Sequence, residues 1–294
     1  MKKLVYLFCL ILVSQILHAS NQVKLVAEHA VLNTISDEFG FTEGPASDTA
    51  GNVYFTDIPN NKIYKYSVDG ELSIYKDSMP GNGLAFDRNE KLIVCGHNGK
   101  RNVYSIQINT GEIKVLAAQY DNKKFNSPND LWIDENNGIY FTDPRYGNRD
   151  NMEMETEQVY YLSPDRKSVI RVTNDLVKPN GVYGINNGKK LLIADAGAGI
   201  VYLFSVKQDG SLGSKKIFIE NESVDGMTTD EMGNVYITSE DVKIYNKHGF
   251  LIEVIKTPEN PTNVCFGGKD RKTLFITERK QVYTIKMNVK GSRY

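Results

Sequence analysis

Six stretches of this chain carry one pattern in phase, and that repetition constrains the fold more than any other feature. Each starts with a polar residue that leads into a short apolar strand. An Asp/Asn/Gly turn follows, then a second apolar strand with a polar end. The starting residues are Glu43, Asn82, Asn129, Asn180, Asp225 and Thr262. Typical second strands are Val53-Tyr54-Phe55-Thr56-Asp57, Ile139-Tyr140-Phe141-Thr142-Asp143 and Leu191-Leu192-Ile193-Ala194-Asp195. Consecutive starts lie roughly 37 to 51 residues apart, close to the spacing of propeller blades. Each unit supplies three clear strands and usually a fourth, such as Leu72–Tyr75 or Lys216–Ile219. Four antiparallel strands repeated radially make a blade. The expectation is an all-β, six-bladed β-propeller filling 20–294 as one domain. A β-sandwich has no reason to repeat one strand order six times.

The ring must close, and the sixth unit ends soon after Ile285 with little room for a fourth strand. Val23–Leu32 is therefore expected to pair with Gln281–Lys286 as the closing strand. The tail Lys286–Tyr294 is expected to fray. The third unit carries the one long insertion, Asn148–Gln158, between its second and third strands, and a loop of this length is expected to be functional or mobile.

The N-terminus has the three-part layout of a secretory signal over 1–19: Met1-Lys2-Lys3, then the apolar run Leu4–Leu17, then Leu17-His18-Ala19 before Ser20. The run is short for a membrane span, which takes ~20 apolar residues. Export to the periplasm or medium as a monomer, with no stable membrane insertion, is expected. The whole chain has 35 Lys and Arg against 36 Asp and Glu. It shows no basic stripe, which argues against a nucleic-acid partner. Cys9 falls in the leader. Cys95 and Cys265 sit in apolar strands and form no disulfide framework; they are expected as buried thiols.

In a propeller the first strand of each blade lines the central channel, so the six starting residues converge on one mouth. Asn-Gly and Asp-Gly pairs are also strong turn signals, and singly Asn82, Asn180 and Asp225 read as turns. Their shared register argues for a site instead. Carboxylate, amide and hydroxyl oxygens without Cys or His suit a hard cation. Ca²⁺ takes six to eight such oxygens and Mg²⁺ a stricter octahedron, whereas zinc favours Cys and His. Glu43, Asn180 and Asp225 are the expected ligands of one divalent ion, most simply Ca²⁺, with Asn129 nearby and Asn82 and Thr262 as channel lining.

At this point the chain resembles the SMP-30/gluconolactonase/luciferin-regenerating-enzyme family. The resemblance is carried by Thr42-Glu43-Gly44-Pro45, Asn126-Ser127-Pro128-Asn129-Asp130-Leu131, Tyr140–Gly147, Lys178–Val182 and Val224–Met227. It implies a six-bladed propeller with a divalent metal, usually calcium, at the channel mouth. The family's ligating Glu, Asn and Asp fall on Glu43, Asn180 and Asp225, and a further Asn near metal and substrate falls on Asn129. The implied activity is hydrolysis of a small sugar lactone, most like the bacterial gluconolactonases. Two departures bear on substrate recognition. Ser127 stands where animal members carry an Arg, and Ala46 follows Pro45 where an aromatic residue is common.

A cation can polarise a lactone carbonyl and acidify a water. Calcium is a weak acid for this, so a carboxylate must take the proton. Asp225 is the expected base, and Asp130, pointing the other way along its strand, is expected to be structural. His97, Arg145 and Tyr146, at the ends of second strands near this mouth, are expected to bind a hydroxylated substrate. No Gly-x-Ser-x-Gly elbow, phosphate loop or dinucleotide fingerprint is present. The competing reading is a non-catalytic NHL-like propeller that binds protein or glycan. Such a ring does not need Glu43, Asn180 and Asp225 together.

Overall fold

In the computed structural model, which describes residues 24–97 and 99–292, six four-stranded antiparallel sheets surround one axis. The expected leader over 1–19 lies outside the described residues. The first strands are Thr42–Ser47, Leu84–Phe86, Leu131–Ile133, Pro179–Ile185, Met227–Thr229 and Asn263–Gly267. Each touches the first strand of both neighbouring blades, so they form a closed inner circuit. The second strands lie sandwiched between blades, which is why they read as unbroken β-branched and aromatic runs. Phe55, Leu92, Phe141, Ile193, Ile237 and Ile276 are almost wholly inaccessible. Aromatic rings join blades edge to face, Tyr54 to Phe86 and Tyr236 to Phe266, both at 5.2 Å between centroids. The fourth strands face solvent, and Ile74, Val115 and Ile217 are exposed there.

The ring closes as expected in kind, with a shift in position. Asn33–Ser36 pairs with Gln281–Lys286 in the register Asn33↔Thr284, Thr34↔Tyr283 and Ser36↔Val282. Within the expected Val23–Leu32 strand, Val26 makes a single bridge, to Met287, and Val23 lies outside the described residues. The cause is a turn at Glu28-His29, where His29 has φ 59° and the Ala30 N–H donates to Ala27 O at 3.1 Å. Leu25, Val26, Ala30 and Leu32 spend their apolar surface packing against the core of the fifth and sixth blades instead.

The C-terminal tail is docked rather than frayed over its described part. Met287 and Val289 are buried, the Asn288 N–H donates to Leu25 O, and the Glu231 N–H donates to Lys290 O. The insertion in the third blade is also pinned. Met154 is buried, the Glu153 carboxylate accepts the Lys124 N–H at 2.8 Å, and Arg149 meets Glu157 at 2.6 Å. Cys95 and Cys265 are free and buried, as expected.

Two side-chain devices bring the channel mouth into register. Threonines at the fourth place of second strands tie neighbouring blades. Thr56 Oγ1 donates to Glu43 O or Asn82 O, at 3.2 and 3.0 Å, and Thr238 Oγ1 does likewise toward Gly226 O and Thr262 O. Carboxylates at the fifth place clamp the loop that feeds the first strand. Asp143 accepts the N–H groups of Asn126 and Ser127, both at 2.7 Å, and Asp195 accepts those of Val177 and Lys178. Asp143→Ala should cost about 2–6 kcal/mol, because two buried donors lose their acceptor at about 1–3 kcal/mol each. Denaturant unfolding checks this, and a loss below about 1 kcal/mol would mean that the clamp does not hold the loop.

Candidate active site

The six register positions sit where the repeat places them. The Asn82, Asn129, Asp225 and Thr262 N–H groups donate to Cys95, Thr142, Thr238 and Thr277 carbonyls respectively, and Glu43 pairs with Thr56. The residue after each is Gly44, Gly83, Gly181 or Gly226 in four blades, because inner strands approach too closely for a side chain. A Cβ on Gly44 would lie 2.3 Å from Asn82 O, and one on Gly226 would lie 2.1 Å from Asn263 Cγ. Asp130 and Asn263 occupy this place in the other two blades and line the channel cavity.

Glu43, Asn82, Asn129, Asn180 and Asp225 line one cleft of about 430 Å³, together with His97 and Tyr146. Thr262 lines the adjoining hollow that Asp225 also lines, rather than this cleft. Its hydroxyl donates to Thr42 O at 2.7 Å, across the seam between the sixth and first blades. Arg145 stays outside the cleft as well. Its guanidinium donates to Asn126 O at 2.6 Å, Asn148 O at 2.7 Å and Asn151 Oδ1, so it ties the insertion to the blade. Tyr146, 44% exposed, reaches over the cleft, and Asn180 Nδ2 donates to its hydroxyl at 2.9 Å. The Lys178 ammonium lies 5.1 Å from the Tyr146 ring centre.

Asp225 accepts a 2.6 Å hydrogen bond from Asn180 Nδ2. Glu43 accepts from the Gly44 N–H at 2.9 Å and from Asn263 Nδ2 at 3.4 Å. Asp130 accepts from the Leu131 N–H at 2.9 Å and the Val182 N–H at 3.4 Å, the structural part expected of it. Burial pushes the Asp225 and Asp130 carboxyls up to about 7. Burial, then the Asp225 and Asp130 charges, raise Glu43 well above the usual carboxylate range. Among the described residues no Lys or Arg lines the cleft to offset this charge.

His97 lies on the cleft wall with its Nδ1 3.2 Å from Ser127 Oγ. Burial and then the Arg145 charge lower its pKa, which favours the neutral ring. Five apolar or small wall residues are not marked in the sequence by the register: Phe41, Ile58, Ala196, Ser223 and Val224. A signal for two of them was present. Ile58 and Ala196, like His97, are the first residue after a second strand, at the same level of the ring.

Among the described residues, no group of three or more His, Cys, Asp or Glu side chains is placed to share an ion. The ring instead offers two carboxylates and three amide side chains, Glu43 and Asp225 with Asn82, Asn129 and Asn180. That donor set fits a hard cation, and the uncompensated buried charge fits it too. Asn180 would have to turn its carbonyl oxygen, rather than its nitrogen, toward Asp225 to serve as a ligand.

The SMP-30/gluconolactonase/LRE-like region matches residues 41–280. A gluconolactonase of Zymomonas mobilis is 27% identical, with 88% of this chain and 82% of that protein covered. A gluconolactonase structure from Xanthomonas campestris superposes with a TM-score of 0.82 at 26% identity, over 91% of this chain and 96% of that one. Regucalcin of Agrobacterium tumefaciens, a calcium-binding protein, shares the fold, with a TM-score of 0.76 at 16% identity, over 89% of this chain and 95% of that one. The chain belongs to the SMP-30/gluconolactonase/LRE-like family.

Proposed function

We propose that this protein is a calcium-dependent hydrolase of small aldonolactones. The observation that carries the reading is the convergence of Glu43, Asn129, Asn180 and Asp225 on one cleft whose own lining, among the described residues, holds no Lys or Arg. Kinship with gluconolactonases supports the reaction class. Glu43, Asn180 and Asp225 would hold the ion, with Asn129 beside it. When bound, the ion supplies Lewis acidity toward the lactone carbonyl.

The chain's own groups do the rest. Asp225 takes a proton from the attacking water. The water oxygen bonds to the carbonyl carbon, the ring C–O bond breaks, and the proton passes to the departing alkoxide, giving the open hydroxy acid. Tyr146 and neutral His97 offer a hydroxyl and a ring nitrogen to the substrate's hydroxyls. Arg145 contributes by holding the wall that carries Tyr146 rather than by touching substrate.

A panel of lactones assayed with chelator and with added calcium tests the reading. Glucono-1,5-lactone should open in calcium, stop in chelator and resume when calcium is restored. If no lactone opens in calcium, the reading fails in favour of a binding propeller.

A further inference from the structure

A second hollow of about 400 Å³ opens beside the cleft, between the fifth and sixth blades. Phe41, Ser223 and Asp225 line both hollows, so the two run together past the carboxylate proposed as the base. Each lies in the about 300–1,000 Å³ range of small-molecule sites. The joined cleft therefore extends well beyond a single lactone ring.

The six-fold register explains the second wall. Phe41, Ser223 and Asn260 each stand two residues before a register position, and Glu240 and Arg279 each stand at the level of Ile58, His97 and Ala196. The same two levels that are largely apolar around the first hollow are polar here. Asn221, Ser239 and Asn260 bring amides and a hydroxyl.

Two cations in this hollow are paired, and Glu240 and Asp225 leave its lining acidic. Lys243 is held by both Glu222 oxygens, at 2.6 and 2.9 Å. Arg279 has Glu259 at 3.7 Å and keeps a side chain that is 54% exposed. The hollow thus offers a dense set of donors and acceptors on an acidic lining. Phe41, partly exposed where the hollows meet, adds apolar aromatic surface. Polar, acidic walls beside an aromatic ring suit an uncharged sugar better than an anion.

We propose that the second hollow is a glycosyl subsite, so that the favoured substrate is an aldonolactone bearing a sugar substituent. The lactone lies by Asp225, and the attached sugar lies between Asn221, Asn260 and Arg279. The inference rests on the lactonase reading for its chemistry but can be tested by binding alone.

Calorimetric titration of the full chain with gluconate, cellobionate and 6-phosphogluconate compares the three hydrolysis products directly. Cellobionate should bind at least ten-fold more tightly than gluconate. Two variants should bring that ratio to near one: Asn260→Trp, which narrows the hollow, and Arg279→Asn, which removes a donor while suiting the left-handed backbone at that residue, φ 45°. Circular dichroism confirms that both remain folded. Equal binding of gluconate and cellobionate, or no binding of either, overturns the subsite. Tighter binding of 6-phosphogluconate than of cellobionate also overturns it, because the hollow is then an anion site. Gluconolactone turnover measured alongside keeps the two readings separate. If it opens without a cellobionate preference, only the subsite fails. A cellobionate preference without turnover of any lactone sinks the lactonase reading alone.

Discussion

Asp225→Asn should lower lactone turnover by about 10²–10⁴, the range attributed to a positioned general base. The amide has the shape of the carboxylate and keeps an oxygen toward the cleft. It gives up the proton acceptor and one negative charge. In the calcium-free fold Asn180 Nδ2, 2.6 Å from Asp225 Oδ1, can still donate to the amide oxygen, so the local packing is retained there. Calcium occupancy must be measured on the same preparation. A variant with full occupancy and full activity would show that Asp225 is not the base. A variant that has lost both leaves the base assignment to the pH profile.

That profile has a definite sign. A carboxylate base works only when ionised, so kcat/KM should rise with pH through its pKa. Burial holds the Asp225 carboxyl up at about 7. An adjacent cation favours the charged form and moves the pKa down. The acidic limb should therefore shift to lower pH as calcium is raised toward saturation. A limb that ignores calcium would separate the titrating group from the ion.

The fold was legible because a propeller repeats its evidence. One Asn-Gly pair is a turn, but six polar residues in the same strand register define a channel mouth. The closing strand was harder to read. Val23–Leu32 is more apolar than Asn33–Ser36, yet the latter makes the ladder. Apolar content reports burial, and Leu25 and Leu32 are apolar because they cover the core from outside the sheet. The tail misled for a similar reason. Its polar composition suggested fraying, while Met287 and Val289 alternate inward and anchor it.

The site was legible to the depth that register alone can supply. Register gave Glu43, Asn129, Asn180 and Asp225 a common cleft. It could not tell that Thr262 satisfies its hydroxyl across a blade seam, nor that Arg145 spends its donors on Asn126, Asn148 and Asn151. Both outcomes depend on partners distant in sequence or on the path of a loop. Phe41, Ile58, Ala196 and Val224 were passed over because apolar residues carry no chemistry of their own. They matter only once the walls of a cleft are known.

In chelator, the wild-type protein should lose stability as pH rises from about 5 to 8, and calcium should restore part of it. Glu43, Asp130 and Asp225 carry raised pKa values in the folded chain, against about 3.9–4.3 for unfolded Asp and Glu. Between those limits the folded state binds more protons than the unfolded state. The slope of unfolding free energy with pH is then negative, at up to about 1.4 kcal/mol per pH unit for each group. The loss accumulates from about pH 4 and, for the two aspartates, is complete above about 7. Asp225→Asn removes one of the three charges at its source. In chelator at pH 8 this variant should melt above the wild type, the trade-off expected where an active site holds destabilising charge for its function. Calcium at 100 times its dissociation constant should add ~2.7 kcal/mol to the wild type by linkage. That is about 5 °C or more at roughly 2–4 °C per kcal/mol for a domain of this order of size. The variant should gain much less. Melting curves at pH 5 and 8, with chelator and with calcium, read all of this in one experiment. A chelated wild type that is no less stable at pH 8 than at pH 5, together with an Asp225→Asn variant that melts below it, would show that the three carboxylates are neutralised within the fold without a cation.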